Sequence, residues 1–334
     1  MDVLAFFHPE DAQWPTLQTW LQELQARHPH RLVPIDITQD PALLKQYGGR
    51  TPLLEIGPYT LQAPFSKKTL EVTLAAARDS KAFRESVGKA PRPATFGPVD
   101  RFSLWLSRNF LWVFLGFLTL YVSLPWLAPV LMKIGWTRPA RWIYAAYSVT
   151  CHQLAFRSWF LFGEQPAYPR AAAGVSGLKT YGQVTGYDEE DLWTARAFVG
   201  NEQVGYKVAI CERDVAIWGA FWLFTLVFTL LYRFKERRLR ALPWYLWILI
   251  GWVPIGLDGF SQLLSQMPGS FLPYRESTPL LRTLTGFIFG LTTAWFMVPM
   301  MQESMEETRA LLLRKQRLLE AREQARTAAA SDHG

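Results

Sequence analysis

Four long stretches of the chain carry almost no charge, at about residues 109–132, 214–232, 243–264 and 281–301. Each is long enough to cross a bilayer as a helix. Residues 142–162 are apolar at both ends, but polar residues and Arg157 interrupt the middle. A charge at mid-bilayer costs roughly 2.5–3.5 kcal/mol on insertion scales. We therefore predict four spans, with 142–162 re-entrant, interfacial or buried by other helices; a five-span protein is the alternative.

The first 85 residues show a different pattern, in which short apolar runs alternate with amphipathic segments. The pattern predicts strands at 3–7, 32–37, 51–56 and 59–63. Apolar residues at three- and four-residue spacing predict a helix from Trp14 to Leu24, and further helices are expected at 41–47 and 67–78. Residues 1–85 are therefore expected to form an α/β domain.

The rest of the chain divides by composition into three further parts. Residues 86–108 form a predicted linker, rich in Pro, Arg, Gly and Ser, and 109–302 form an all-α polytopic membrane domain. Its long polar loop, 164–210, is either disordered or a cap over a site. Residues 303–334 are predicted to form a charged amphipathic helix and tail, which is either solvated or turned toward a partner.

Composition agrees with a soluble part joined to a membrane part. The 334 residues are 50% hydrophobic and include 15 Trp, yet the mean hydropathy is only +0.03. The net charge of +7 does not indicate nucleic acid as a partner, because the basic residues gather at span ends and in a mixed-charge tail. The expected partners are the lipid bilayer, and proteins bound through the N-terminal domain and the C-terminal helix.

The distribution of basic residues predicts the orientation. The loop after the second span contains Arg233, Lys235, Arg237, Arg238 and Arg240. By the positive-inside rule, loops rich in Lys and Arg usually lie in the cytoplasm. No signal peptide precedes the N-terminal domain, so we expect that domain in the cytoplasm as well, in a multi-pass protein of the cell membrane.

The N-terminal domain resembles the thioredoxin/glutaredoxin family. The residues that carry the resemblance are 33–37 (VPIDI), Asp40-Pro41 and 50–53 (RTPL). The resemblance implies a thioredoxin-like fold in which Pro52 is cis. The family's Cys-x-x-Cys motif is missing, since His8-Pro9-Glu10-Asp11-Ala12 follows the first strand. Without a thiol there is no thiol–disulfide exchange, so we expect a redox-inactive binding or docking module.

The membrane domain resembles the predicted membrane-protein family DUF2085, whose function is unassigned. Ordered motifs carry this resemblance: Cys151-His152-Gln153, residues 205–214 (GYKVAICERD), Asp258-Gly259 with Gln262, and Thr285-Gly286. Many relatives have Cys-x-Arg-Cys where this chain has Cys211-Glu212-Arg213-Asp214. The resemblance brings no activity with it.

Both cysteines of the chain fall inside these motifs, and we expect Cys151, His152, Cys211 and Asp214 to converge at the outer membrane face. All four could bind zinc or another divalent metal. Alternatively, Cys151 and Cys211 form a disulfide, or the two cysteines are buried and inert. Neighbours on a helix point about 100° apart, so Cys151 and His152 could both be ligands only if the helix breaks there.

A second set of polar residues belongs to the same domain: Arg157, Arg213, Asp258, Gln262, Arg275 and Arg282. Ionisable groups at membrane depth mark either a site or a structural network, and Asp214 and Asp258 could simply pair with Arg213, Arg275 or Arg282. Gly286 and Gly290 are interpreted as a close helix-packing seam.

Three functions fit these patterns, and no catalytic residue can be assigned among them. The first is a metal- or redox-dependent membrane protein with its site at the outer face, where either an enzyme or a non-enzymatic protein fits the pattern. The second is a non-catalytic scaffold or accessory subunit. The third is a small transporter, against which the few spans and the lack of a repeat count.

Overall fold

The computed structural model describes residues 1–86, 95–234 and 239–331. The chain forms two compact units. One, the soluble unit, combines Met1–Phe110 with Glu303–Gly334, and the other, the membrane unit, is Leu111–Gln302. Part of the predicted linker, 87–94, and Lys235, Arg237 and Arg238 of the basic loop lie outside the described residues.

The soluble unit is built on a four-stranded mixed sheet in the order β2-β1-β3-β4. Strand β1 is parallel to β2 and antiparallel to β3, and β3 and β4 form an antiparallel pair. The strands are β1 (Asp2–Phe7), β2 (Arg31–Asp36), β3 (Leu53–Ile56) and β4 (Tyr59–Gln62). The expected α/β architecture is confirmed.

Three helices complete the N-terminal part of this unit: α1 (Trp14–Leu24), α2 (Pro41–Tyr47) and α3 (Lys67–Ser86). Leu17, Leu21 and Leu24 of α1 are buried, as their spacing predicts. The Asp40 side chain caps α2 by accepting from the backbone N–H of Ala42 at 2.9 Å. The Thr51–Pro52 peptide bond is cis, the isomer that the resemblance implies, and Ala63–Pro64 is also cis.

The C-terminal segment, 303–331, belongs to this unit and is the continuation of the last span. Ala310 is fully buried in a core cluster that includes Phe6, Leu43 and Leu53. Ion pairs follow along the same helix, with Arg309 contacting Asp40, Arg314 contacting Glu55 and Arg322 contacting Asp2. The amphipathic face thus packs on the chain's own N-terminal domain.

The membrane unit contains the four predicted spans. Among the described residues, four helices are long and apolar enough to cross a membrane, and between 22% and 39% of each apolar window is buried, which leaves the rest for lipid. These helices are α4 (Pro98–Lys133), α8 (Glu212–Phe234), α9 (Trp244–Ser265) and α10 (Pro279–Ser331). The predicted linker is wrong over 98–108, which are already helical in α4.

The segment between α4 and α8 is folded rather than disordered. It contains α5 (Thr137–Tyr147), α6 (Tyr181–Thr185), α7 (Leu192–Ala197) and an antiparallel sheet in the order β5-β7-β6. The strands are β5 (Ser158–Leu161), β6 (Gly200–Asn201) and β7 (Gly205–Cys211). Residues 142–162 do not form one helix, because they consist of the end of α5, a connection and β5. The described residues thus provide four candidate spans rather than five.

Candidate functional site at the start of helix α8

The junction of β7 and α8 brings three polar clusters together. Cys211 is the last residue of β7, and Glu212, Arg213 and Asp214 form the first turn of α8. Successive residues of a helix point in directions about 100° apart. Each of these three side chains accordingly enters a different cluster, and the clusters are called here the thiol cluster, the Asp258 cluster and the Glu276 cluster.

The thiol cluster consists of Cys151, Cys211 and Asp214. Their two sulfur atoms and one carboxylate oxygen all lie within 4.8 Å of one another. The Sγ atom of Cys151 also accepts backbone N–H groups, from Cys211 at 3.3 Å and from Gln153 at 3.5 Å. Cys151 is buried, while Cys211 and Asp214 are half-buried.

Gln153 holds the Cys151 segment against β7. Its Nε2 donates to the carbonyl oxygens of Tyr144 and Ala209, both at 2.8 Å, and the side chain is buried. The residue has φ 55°, in the left-handed region that side chains rarely adopt. The two hydrogen bonds stabilise this turn, which places Cys151 next to the end of β7.

Lys207 of β7 lies beneath the same turn and is only 1% exposed. Its ammonium group donates to the carbonyl oxygens of Gln153 at 2.6 Å and Arg196 at 2.7 Å. Burial disfavours the charged form and lowers the pKa of Lys207 to about 7. The lysine thereby ties the turn and the segment around α7 to the strand.

The two thiols influence each other directly. A hydrogen bond between them lowers the pKa of the Cys151 thiol and raises that of Cys211. Cys151 is therefore the sulfur better able to carry the negative charge. Thiolates are both metal ligands and nucleophiles.

The structure differs in two respects from what the sequence allowed for these residues. His152 is exposed and is not part of the group of ligand atoms, so the structure brings together three of the four predicted residues. The reason is local, because side chains of adjacent residues point apart and Cys151 is turned inward. Both cysteines are free, so the structure contains no Cys151–Cys211 disulfide.

The Asp258 cluster joins two spans to the connection that follows them. Asp258 of α9 contacts Arg213 of α8, and it accepts from Arg275 and from the Ser277 hydroxyl, both at 2.8 Å. Asp258 is buried, at 5% exposure. Arg213, Asp258 and Arg275 of the predicted polar network thus meet in ion pairs that join α8 and α9 to the connection 266–278.

The Glu276 cluster contains the other predicted members of that network. Arg157 donates to both carboxylate oxygens of Glu276, from Nε at 2.8 Å and Nη2 at 3.1 Å. Arg282 also donates to Glu276, and Gln262 donates to it at 3.1 Å. Arg282 continues to Glu212, with 3.5 Å between Nη1 and Oε2. The cluster therefore extends to the first turn of α8.

Sequence reasoning missed four buried residues in or beside these clusters: Glu212, Glu276, Lys207 and Arg170, whose Nη1 lies 3.7 Å from Glu276. Glu212 stands inside the quoted motif at the start of a span, where a carboxylate is an available signal. Glu276 follows Arg275 in the polar connection between α9 and α10. Lys207 lies inside the same motif, but its burial and that of Arg170 could not be read from the sequence, because they depend on contacts distant along the chain.

Residues 196–296 match the family described as predicted membrane protein (DUF2085), which confirms the resemblance of the membrane domain. The chain is also similar to an uncharacterized protein of Methanocaldococcus jannaschii. The two are 25% identical over 203 residues, which cover 59% of this chain and 96% of the relative. No solved structure matches the chain significantly. The protein is accordingly a multi-pass membrane protein with a region similar to DUF2085.

Proposed function

We propose that the thiol cluster binds a divalent metal ion such as zinc and that this ion serves a metal-dependent function at the outer membrane face. The observation that carries the proposal is the approach of three ligand atoms, from Cys151, Cys211 and Asp214, within 4.8 Å of one another. Zinc–sulfur bonds near 2.3 Å put the ligands of a tetrahedral site roughly 3.5–4 Å apart, a separation that these three atoms approach.

The surroundings of the cluster support the same proposal. Thiolate and carboxylate are both accepted zinc ligands, and three protein ligands leave a fourth position for water or a substrate. The backbone N–H groups of Cys211 and Gln153 orient the Cys151 sulfur, as outer-shell hydrogen bonds do at metal sites. The Cys-x-x-Asp spacing of Cys211 and Asp214 corresponds to the Cys-x-Arg-Cys of relatives, with one oxygen ligand in place of sulfur.

Metal content of the full-length protein in mild detergent tests the proposal. The wild-type protein should contain about one equivalent of metal, and Co²⁺ added to the metal-free protein should give a sulfur-to-cobalt charge-transfer absorption. C151S and D214N should each lose the metal. His152→Ala is the matched control, because His152 lies outside the cluster, and it should retain the metal.

Other outcomes would assign the cysteines differently. Protein without metal and without titratable thiols, in which reduction restores two thiols, would establish the disulfide alternative instead. Metal-free protein with two free thiols that binds no Co²⁺ would overturn the proposal. The non-catalytic scaffold would then be the better description of the protein.

We further propose that the N-terminal domain is thioredoxin-like, redox-inactive and cytoplasmic. The strand order supports the first part, and the lack of cysteine in residues 1–85 supports the second. The basic residues between the second and third spans support the third, by the positive-inside rule. Such a domain can dock soluble partners through the surface that the C-terminal segment leaves uncovered.

A further inference from the structure

Arg170 has a donor edge that nothing in the described part of the chain occupies. The residue is 3% exposed, yet its Nε and Nη2 atoms are buried without a hydrogen-bond partner. These two atoms form the edge with which arginine binds a carboxylate or phosphate through two parallel hydrogen bonds. A buried donor left unpaired costs free energy, and more when it is charged, so an unoccupied edge calls for an explanation.

Arg157 provides the comparison within the same cluster. Its Nε and Nη2 atoms both donate to the Glu276 carboxylate, which is the bidentate arrangement that Arg170 lacks. Arg170 approaches Glu276 only with Nη1, at 3.7 Å, and the same atom donates to the Tyr274 hydroxyl at 3.4 Å. The neighbouring carboxylates therefore attract Arg170 from the Nη1 side and leave the buried Nε and Nη2 atoms without an acceptor.

The surroundings hold the guanidinium group in place. Its Cζ atom lies 4.1 Å from the centre of the Phe156 ring, a cation–π contact. Glu190 lies 3.7 Å from Nη1. The carboxylate of Glu189 is engaged elsewhere, because it accepts the backbone N–H groups of Ala171 at 2.8 Å and Gly182 at 2.9 Å.

From this geometry we infer that Arg170 is the anchor of an oxyanion-binding site, whose ligand presents two oxygens of a carboxylate or phosphate group to Nε and Nη2. The inference goes beyond the metal proposal and does not depend on it. Tyr274 and Glu276, which face Arg170, belong to the connection between two spans. The anion can therefore come from water, as a free ion or phosphomonoester, or from a lipid headgroup.

Binding of named anions to the full-length protein tests this inference. Calorimetric titration in detergent should show saturable binding of inorganic phosphate or acetate. Arg170→Lys keeps the charge but removes the bidentate edge, and should weaken binding about tenfold or more. The exposed Arg141, changed to Lys, is the matched control and should bind as the wild type does.

Nanodiscs separate the two sources of the anion. A rise in melting temperature in discs of phosphatidylcholine and phosphatidate over discs of phosphatidylcholine alone, lost in R170K, would assign a lipid headgroup. Binding of free phosphate or acetate would assign a soluble anion. If the wild-type protein binds neither free anion and gains no stability from phosphatidate, the inference is wrong, whether or not R170K folds.

Discussion

Glu276 accepts hydrogen bonds from Arg157, Arg282, Gln262 and Gln266, all through a single buried carboxylate. Its partners come from the segment before β5, from α9 and from α10. The carboxylate of Glu276 neutralises the positive charges of Arg157 and Arg282 only while it is ionised. Removing one partner from a buried ion pair is more costly than the pair itself is stabilising.

We expect Glu276→Gln to destabilise the membrane unit by about 3–5 kcal/mol, because it leaves buried guanidinium groups without their counter-ion. The melting temperature of the full-length protein in detergent measures the effect. Glu202→Gln is the matched control, because Glu202 is exposed in the connection between β6 and β7. Equal melting temperatures for the two variants would contradict the role assigned to Glu276.

The same carboxylate should make stability depend on pH. Burial acts to raise the pKa of Glu276, but the hydrogen bond and charge of Arg157, with the charges of Arg282 and Arg170, outweigh it and hold the pKa below its ordinary 4.5. The stabilisation is therefore fully present above pH 4.5 and is lost as pH falls through the lower folded-state pKa. The difference in melting temperature between wild type and E276Q should shrink over that acidic range. A constant difference would show that the carboxylate acts through its shape alone.

Single residues could be placed from the sequence where a motif marked them. Cys151, Cys211 and Asp214 meet, as their motifs suggested. His152 does not join them, because the side chains of adjacent residues point in different directions. Arg170 shows the limit of such reasoning. Its burial against Phe156 and the unpaired state of its Nε and Nη2 atoms arise from tertiary packing, which no local pattern encodes.

At the scale of elements, α10 approaches α8 closely along Gly286 and Gly290. A Cβ atom added at Gly290 would lie 2.1 Å from the Ile217 carbonyl oxygen, and one at Gly286 would lie 2.7 Å from that of Arg213. The predicted packing seam is confirmed. The close approach also brings Arg282, one turn before Gly286, within reach of Glu212.

Gly290→Ala should therefore destabilise the packing of α8 against α10 by about 1–3 kcal/mol, the usual cost of overpacking. Gly219→Ala in α8 is the matched control, because nothing lies within 4 Å of a Cβ added there. Thermal unfolding of both variants in detergent distinguishes them. Equal stability of the two would contradict the close approach.

A second prediction at this scale concerns the C-terminal segment of α10 and its packing on the N-terminal domain. Ala310 is fully buried, with 0% of its surface exposed, and packs in the core of the soluble unit. Ala310→Asp should release the segment from that core, since burying a carboxylate without a partner is costly, with a loss of more than about 2 kcal/mol. Limited proteolysis should then cleave the soluble unit sooner than in wild type.

The matched control for this change lies on the same helix. Ala325 is exposed, so Ala325→Asp should leave the rate of cleavage unchanged. If A310D is as resistant as A325D, the segment does not stabilise the N-terminal domain. The isolated residues 1–85 would in that case be a sufficient domain.

Element boundaries were less predictable than element types. Helix α4 begins at Pro98, eleven residues before the uncharged stretch, although composition suggested a linker there. Proline fits the first turn of a helix, and Asp100 accepts the Gly97 N–H at 2.9 Å, which stabilises the start. Hydropathy over a span-length window detects only the apolar part of a helix, which suits the lipid interior. Polar helical extensions at either end of a span are therefore missed.

For the whole molecule, the composition of the soluble unit requires the chain to cross the membrane an even number of times. It combines residues from both ends of the chain, before the first span and after the last. Both ends must therefore lie on one side, which requires an even number of crossings. Four spans satisfy this condition. The connections 134–211 and 266–278 then lie on the opposite side from the soluble unit, and with the span ends they contribute all three polar clusters.

We proposed a cytoplasmic soluble unit from the positive-inside argument, and impermeant labelling of single introduced cysteines tests that proposal. Thr38→Cys marks the soluble unit and Glu202→Cys marks the connection between β6 and β7; both positions are exposed. In intact cells, a membrane-impermeant maleimide should label the Glu202 variant above the background of the two native cysteines and should label the Thr38 variant only after lysis. The wild-type protein, labelled in parallel, supplies that background. Labelling of the Thr38 variant in intact cells, with the Glu202 variant protected, would invert the orientation and place the thiol cluster at the cytoplasmic face, where a reducing environment favours free thiols over a disulfide.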